Sequence, residues 1–135
     1  MKLKKSVKTL LEEATARTRG ISPQAAEARI GDARTVFVDI RDVRELERDG
    51  MIPGAFHAPR GMLEFWVDPE SPYFKPVFGE GKTYILYCAA DWRAVLAAAT
   101  LADMGLEDVL HLEGGFSEWK KAGRPVGQRE HKHKA

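Results

Sequence analysis

Apolar residues along this chain occur in two patterns, short continuous runs and helical spacing. Continuous runs at residues 36–38, 83–88 and 109–111 predict strands that are covered on both faces. Helical spacing predicts helices over residues 3–17, 23–30, 42–48, 92–104 and 116–121, with a short helix inside the irregular segment 61–79. Strands that alternate with helices favour right-handed crossovers between parallel strands. We therefore expect an α/β fold with a central, mostly parallel sheet and helices on both faces.

The ends of several predicted helices coincide with residues that favour helix boundaries. Ser22 followed by Pro23 is typical of an N-cap and a first helical position. Gly31 and Gly105 each follow the last residue of a predicted helix, where a left-handed backbone is often needed, and Asp49-Gly50 closes the predicted helix 42–48. These boundaries support the helical spacing with an independent signal.

The length of 135 residues is typical of one domain with one hydrophobic core. We expect residues 1–20 to form an amphipathic helical extension, residues 21–127 the domain, and residues 128–135 a polar tail. His131 and His133 alternate with lysine in that tail and are interpreted as part of a disordered end rather than as metal ligands.

Charge and hydropathy exclude several classes of function. The chain has 21 basic and 20 acidic residues, a net charge of +1, so electrostatics provides no general attraction to nucleic acid or anionic lipid. Because no apolar stretch approaches about 18 residues and the N-terminus lacks the apolar core of a signal peptide, we expect no membrane partner and a cytoplasmic location.

The chain contains one cysteine, Cys88, at the end of the predicted strand 83–88. A single cysteine excludes an internal disulfide, a CxxC redox pair and a cysteine-based zinc site. A tight turn from this strand into the next helix would direct several backbone N–H groups toward the sulfur. Together with the helix N-terminus and the Arg93 guanidinium, they would lower the thiol pKa from about 8.5 toward roughly 3.5–7.5. The candidate site is the loop Cys88, Ala89, Ala90, Asp91, Trp92 and Arg93.

This hypothesis has two structural requirements. A sulfur donor must be able to reach the Cys88 side chain, and the surrounding peptide N–H groups must face the sulfur. A cysteine after an apolar strand is, taken alone, more often a small buried hydrophobic residue than a nucleophile.

Two further motifs flank the cysteine loop. The first is Asp39-x-Arg41-x-x-x-Glu45 followed by Gly50-Met51-Ile52-Pro53-Gly54-Ala55, and the last is Gly114-Gly115-Phe116 with Trp119, Gly123, Pro125 and Val126. In this order the three segments resemble the rhodanese-like (sulfurtransferase) domain family, over roughly residues 21–127. The resemblance implies a rhodanese-like fold, no cofactor and no bound metal.

The resemblance also implies a mechanism. Cys88 would take the outer sulfur of thiosulfate or a polysulfide as a persulfide, and cyanide or a thiol, either a small molecule or a protein, would remove it. Because four residues separate Cys88 from Arg93, whereas the related phosphatases have five, phosphatase or arsenate reductase activity ranks lower.

Several positions depart from the family pattern and keep an alternative open. Asp91 replaces a frequent glycine, Ala94 a frequent serine, and Met51 the usual histidine. A carboxylate at Asp91 pointing inward would raise the thiol pKa and repel thiosulfate, whereas one pointing outward or paired with Arg93 would do less harm. The alternative function is therefore a non-catalytic module for protein binding or regulation.

We expect most of the remaining candidate residues to stabilise the fold rather than to take part in catalysis. Asp39 and Arg41 are expected to form an ion pair, His57 and His111 to be structural, and Phe116 and Trp119 to belong to the core. Trp92 is either an exposed contact for an acceptor protein or a packed side chain. Four aromatic residues in the irregular segment either line a pocket beside the cysteine or, as we favour, bury the long loop. They are Trp66, Tyr73, Phe74 and Phe78.

Overall fold

The computed structural model describes residues 1–129. In chain order its strands are β1 Arg19–Ile21, β2 Thr35–Asp39, β3 Phe56–His57, β4 Thr83–Tyr87 and β5 Val109–Leu112. Its α-helices are α1 Val7–Arg17, α2 Pro23–Glu27, α3 Val43–Asp49, α4 Leu63–Val67, α5 Trp92–Met104 and α6 Gly115–Lys121. Two 3₁₀ turns, Arg60–Met62 and Pro76–Gly79, lie in the irregular segment. His131 and His133 lie outside the described residues.

The strands form one sheet in the order β1-β5-β4-β2-β3, and every neighbouring pair is parallel. The predicted α/β class with a parallel central sheet is therefore confirmed. The edge strands β1 and β3 were not predicted, because they have three and two residues and no continuous apolar run. Only pairing with β5 and β2 defines them.

The predicted helices differ from the observed ones mainly at their ends. Helix α5 spans the predicted residues and ends at Gly105, whose φ is +101°. Helix α1 begins at Val7 rather than at residue 3, because the Ser6 hydroxyl accepts a hydrogen bond from the Thr9 N–H at 3.1 Å and caps the helix there. Helix α2 ends at Glu27, three residues before the predicted end.

Two apolar layers cover the sheet, as the alternation along β4 requires. Tyr84 and Leu86 face a core built with α4 and α5, whereas Ile85 and Tyr87 face a second core built with α2 and α6. Trp119 and Phe116 are fully buried in the second core, as predicted. Helix α1 lies outside α5, on a small cluster comprising Leu11, Ala14, Val95, Leu96 and Ala99.

Three of the four aromatic residues in the irregular segment pack on the core, in line with the favoured interpretation. Phe78 is buried, and Trp66 and Phe74 are half-buried against the α4–α5 core. Tyr73 is exposed and takes no part in this cover. Among residues 1–129, no helix has both the length and the apolar character needed to cross a membrane.

Candidate functional site

Cys88 directly follows β4 at the carboxyl edge of the sheet, where parallel α/β sheets bind their ligands. Its side chain lies on the α5 side and packs in the same core as Ala94, at the start of α5. Only 1% of the Cys88 surface is exposed. The structure therefore does not present the reachable thiol that the sequence-based hypothesis requires, because the first turn of α5 closes over the end of the strand.

Hydrogen bonds from the start of α6 hold the backbone of the cysteine loop in place. The N–H groups of Phe116 and Ser117 donate to the carbonyl oxygens of Cys88 and Ala89, at 2.8 and 2.9 Å. Gly115 makes this approach possible, since a Cβ atom there would lie 2.7 Å from the Ala89 carbonyl carbon and 2.8 Å from the Cys88 oxygen. Its φ of +63° also favours glycine. The Gly114-Gly115-Phe116 motif thus supports the loop.

The backbone N–H groups of the loop are available to a ligand. Within residues 1–129, those of residues 89–94 donate no hydrogen bond to the protein, and the first bond of α5 runs from the Val95 N–H to the Asp91 carbonyl at 2.9 Å. An α-helix N-terminus with free N–H groups attracts negative charge. That these groups face the Cys88 sulfur remains a prediction.

Arg93 lies beside the cysteine but shares its charge with Glu45. Nη1 and Nη2 of Arg93 each lie 3.0 Å from a carboxylate oxygen of Glu45. Glu45 raises the pKa of Arg93, with a smaller contribution from the nearby Cys88 sulfur. The hydrogen bonds from Arg93 in turn lower the pKa of Glu45. Glu45 also accepts from the Asp42 N–H at 3.0 Å, which completes the N-terminal cap of α3.

Glu45 is the residue that the sequence interpretation missed. It is the last position of the Asp39-x-Arg41-x-x-x-Glu45 motif, and the motif alone does not indicate a contact with the cysteine loop. The available signal was its spacing of three residues from Asp42, which predicts a capping box. The contact with Arg93 joins residues 48 positions apart and has no local signal.

Asp91 has a partner that the sequence interpretation did not consider. Its φ is +76°, so it occupies the left-handed region at the position where the family often has glycine. Both carboxylate oxygens lie 3.0 Å from Nδ1 of His111. Of the orientations considered for Asp91, pairing with Arg93 is therefore not the one observed, because each of the two residues has its own partner.

Asp39 and Arg41 form a buried ion pair, as predicted. Nε and Nη2 of Arg41 lie 2.9 and 2.6 Å from the two Asp39 oxygens, and Nη2 also donates to the Gly50 carbonyl at 2.7 Å. Burial works to lower the pKa of Arg41, but the pairing with Asp39 outweighs it and the pKa is raised. The Arg41 guanidinium stacks on the Phe116 ring at 4.4 Å. The pair joins β2, the 50–54 turn and α6 beneath the cysteine loop.

The contacts of Trp92 and His57 bear on their sequence-based interpretations, of which only that of Trp92 was left open. Trp92, the first residue of α5, is 68% exposed, so the packed alternative is wrong. His57 is structural, because its Nε2 donates to the Arg41 carbonyl oxygen at 2.7 Å.

A cavity of about 370 Å³ lies beside the loop at Ala89. Lys120 reaches across it and donates to the Asp49 carbonyl oxygen at 2.9 Å. Within residues 1–129, no cluster of three or more His, Cys, Asp or Glu side chains is arranged to hold a metal. The residues that line the cavity are Arg41, Asp49, Ala89, Phe116, Ser117, Lys120 and Lys121.

Comparison with protein families gives one match that covers most of the chain. A model described as the rhodanese-like domain matches residues 22–122. A curated protein named sulfurtransferase from Allochromatium vinosum is 29% identical over 107 residues, which cover 78% of this chain and 92% of that protein. The chain spans only 54% of the length of another curated relative, to which it is 31% identical over 106 residues.

Solved structures give the same fold with differing descriptions. A Rhodopseudomonas palustris protein, described as of unknown function and a possible tyrosine phosphatase, is 48% identical with a TM-score of 0.90, covering 93% of this chain and 97% of that one. The polysulfide-sulfur transferase homodimer from Wolinella succinogenes is 27% identical with a TM-score of 0.69, covering 94% and 90%.

Proposed function

Starting from the fact that this chain belongs to the rhodanese-like domain family, we propose that it is a sulfurtransferase with Cys88 as the persulfide carrier. The donor is a sulfane sulfur compound such as thiosulfate or a polysulfide. The acceptor is a thiol, on a small molecule or a protein, or cyanide in an assay. The single observation on which the proposal depends is the position of Cys88, at the carboxyl end of β4 and at the N-terminus of α5, beside Arg93.

The surroundings of Cys88 offer positive charge and unused backbone N–H groups. The N-terminus of α5 presents N–H groups that the described part of the chain does not use, and Arg93 adds a positive charge near the sulfur. Glu45 and Asp91 oppose this effect, but each is held by its own partner. The relatives named as sulfurtransferases support the same chemistry at the level of the family.

Sulfur transfer takes two steps, and each step conserves atoms and electrons. The Cys88 thiolate attacks the outer sulfur of thiosulfate, the S–S bond of the donor breaks, and sulfite leaves with the bonding electron pair while Cys88 becomes a persulfide. The acceptor thiolate or cyanide then attacks the outer persulfide sulfur, and the Cys88 thiolate leaves. No net oxidation is needed. Because the chain has no second cysteine, the sulfur must leave on another molecule.

The burial of Cys88 favours slender donors. With 1% of the residue exposed, a donor reaches the sulfur only if the loop shifts, and a narrow, terminal sulfur atom needs the smallest shift. Thiosulfate and linear polysulfides both end in such an atom. The cavity beside Ala89 has Lys120 and Lys121 on its wall and suits an anionic group, but Cys88 is not among its lining residues.

The same burial also favours a second candidate function. A cysteine that packs in the α5 core as Cys88 does is suited to structural use, and Trp92 at the loop surface is suited to protein contact. On this alternative the domain binds a partner without turnover. Phosphatase activity ranks third, since four residues rather than five separate Cys88 from Arg93.

Intact mass measurement separates these candidates. We expect a gain of about 32 Da, the mass of one sulfur atom, after incubation with thiosulfate or polysulfide, its removal by cyanide, and no gain in Cys88→Ala. If no donor adds sulfur to the folded protein, the binding module is the better proposal. Release of phosphate from an aryl phosphate by the wild type but not by Cys88→Ala would instead establish the phosphatase.

A further inference from the structure

Asp91 is unusual in its backbone and in its environment. Within residues 1–129 it is the only non-glycine residue with positive φ, and it begins α5 without capping the helix through its side chain. A carboxylate in the same loop as Cys88 would oppose ionisation of the sulfur if it turned toward it.

The two arginines near the loop are already paired with other carboxylates. Asp39 is bonded to Arg41, and Glu45 is bonded to Arg93. Neither arginine bonds to Asp91. Within residues 1–129, His111 is the only hydrogen-bond partner of the Asp91 carboxylate, and its Nδ1 lies 3.0 Å from both oxygens.

The position of His111 in the sheet explains how it holds Asp91. His111 lies on β5, where its Cα pairs with that of Leu86 on β4. Leu110 and Leu112 face the α2–α6 core, so the alternation along β5 directs His111 to the α5 side, the side of Cys88. The His111 side chain is only 8% exposed and that of Asp91 17%. The interaction is thus largely sheltered from water and anchored in a rigid strand.

We propose that His111 is a positioning residue, which ties the Asp91 carboxylate to β5 and keeps it from opposing the thiolate of Cys88. The inference rests on the proposed function of Cys88 as a nucleophile. Where the family often has glycine, this chain has a charged residue together with a buried histidine that holds it. Without the histidine, the carboxylate would be a buried charge with no partner and free to turn toward the sulfur.

The test measures the pKa of Cys88 through the ultraviolet absorbance of its thiolate, which needs no access for a reagent. The signal belongs to one residue because Cys88 is the only cysteine, and Cys88→Ala supplies the background. His111→Leu removes the donor at similar volume. His111→Asn keeps an N–H donor near the position of Nδ1 and is the matched control. Circular dichroism checks that each variant folds, and His111→Ala replaces His111→Leu if that variant does not.

We expect His111→Leu to raise the Cys88 pKa by about one unit and to slow persulfide formation about tenfold at a pH at least one unit below the wild-type value. His111→Asn should recover most of both effects. When His111→Leu is combined with Asp91→Gly, the histidine substitution should shift the pKa by less than about 0.3 unit, because the carboxylate is gone.

Two outcomes would overturn the inference. One is an unchanged Cys88 pKa in His111→Leu. The other is an equal shift with and without Asp91, since His111 would then act on the sulfur directly. Failure of the proposed function looks different: the pKa coupling between His111 and Asp91 would be present, but no donor would add sulfur to the wild-type protein.

Discussion

Glu45 holds the Arg93 guanidinium in a two-pronged ion pair, with both nitrogen–oxygen distances at 3.0 Å. This contact connects the first turn of α3 to the cysteine loop, across 48 positions of sequence. It fixes the direction of the arginine and at the same time reduces the positive charge that Cys88 experiences. The positive charge near Cys88 therefore depends on a pair of residues rather than on Arg93 alone.

Removal of the arginine should affect chemistry more than folding. In Arg93→Ala we expect persulfide formation to slow about tenfold, because the thiolate loses a nearby positive charge. The free energy of unfolding should fall by only about 1 kcal/mol or less, since the Arg93 side chain is 43% exposed. Rapid mixing with polysulfide followed by mass measurement gives the rate. Arg44→Ala, which removes an exposed pair with Asp42, is the control. Equal rates in Arg93→Ala and the wild type would contradict this role.

The Glu45–Arg93 pair should also make stability depend on pH. The pKa of Glu45 is lowered in the folded protein, so its contribution is fully present above the unfolded value of about 4.3 and is lost as pH falls through the folded value. Glu45→Gln should therefore cost about 0.5–1 kcal/mol at neutral pH, after allowance for solvent screening, and progressively less below about pH 4. Urea unfolding across this range measures the difference. If the difference in unfolding free energy between the wild type and Glu45→Gln grew as the pH fell, its sign would be opposite to the expected one and this role of Glu45 would be wrong.

Gly115 should be intolerant of any side chain. In Gly115→Ala the new Cβ would meet the backbone of Ala89 and Cys88, so the loop or the start of α6 must move. Gly123→Ala is a matched control, because Gly123 has a similar φ of +76° but open space around it. We expect Gly115→Ala to lose about 1–3 kcal/mol more than Gly123→Ala and to react more slowly at Cys88. Similar losses in the two variants would mean that backbone strain alone matters at Gly115.

The buried pair of Asp39 and Arg41 should be more sensitive to loss of one partner than of both. Arg41→Met leaves the Asp39 carboxylate buried without its cation, which costs about 3–5 kcal/mol. Arg41→Met combined with Asp39→Leu should recover part of that loss, because no unpaired charge remains. Thermal or urea unfolding provides the values. A loss below about 1 kcal/mol in Arg41→Met would show that Asp39 finds another partner or water.

The burial of Cys88 should make its reactivity depend on reagent size. Relative to the free amino acid, a small reagent such as methyl methanethiosulfonate should react at least about tenfold faster than a bulky aromatic disulfide, because only 1% of the residue is exposed. The same comparison in urea, where the chain is unfolded, should show no such preference. If the folded protein also reacted with both reagents without preference, the loop would have to open readily.

Local signals in the sequence were sufficient for much of the fold. Continuous apolar runs located the three inner strands, and helical spacing with Gly105 located both ends of α5. The burial of Trp119 followed from its spacing with Phe116. The pair Asp39–Arg41 lies two residues apart and was expected from the motif.

The sequence by itself determined the fold class, the inner strands and the candidate loop, because their signals lie within a few neighbouring residues. Only the tertiary structure decided the edge strands β1 and β3, the depth at which Cys88 lies, and the partners of Arg93 and Asp91. The physical reason is distance along the chain: Glu45 and His111 lie 48 and 20 residues from their partners, and only the fold places the start of α3 and strand β5 next to the loop. The sequence around Arg93 and Asp91 contains no signal for the distant residue that pairs with each side chain.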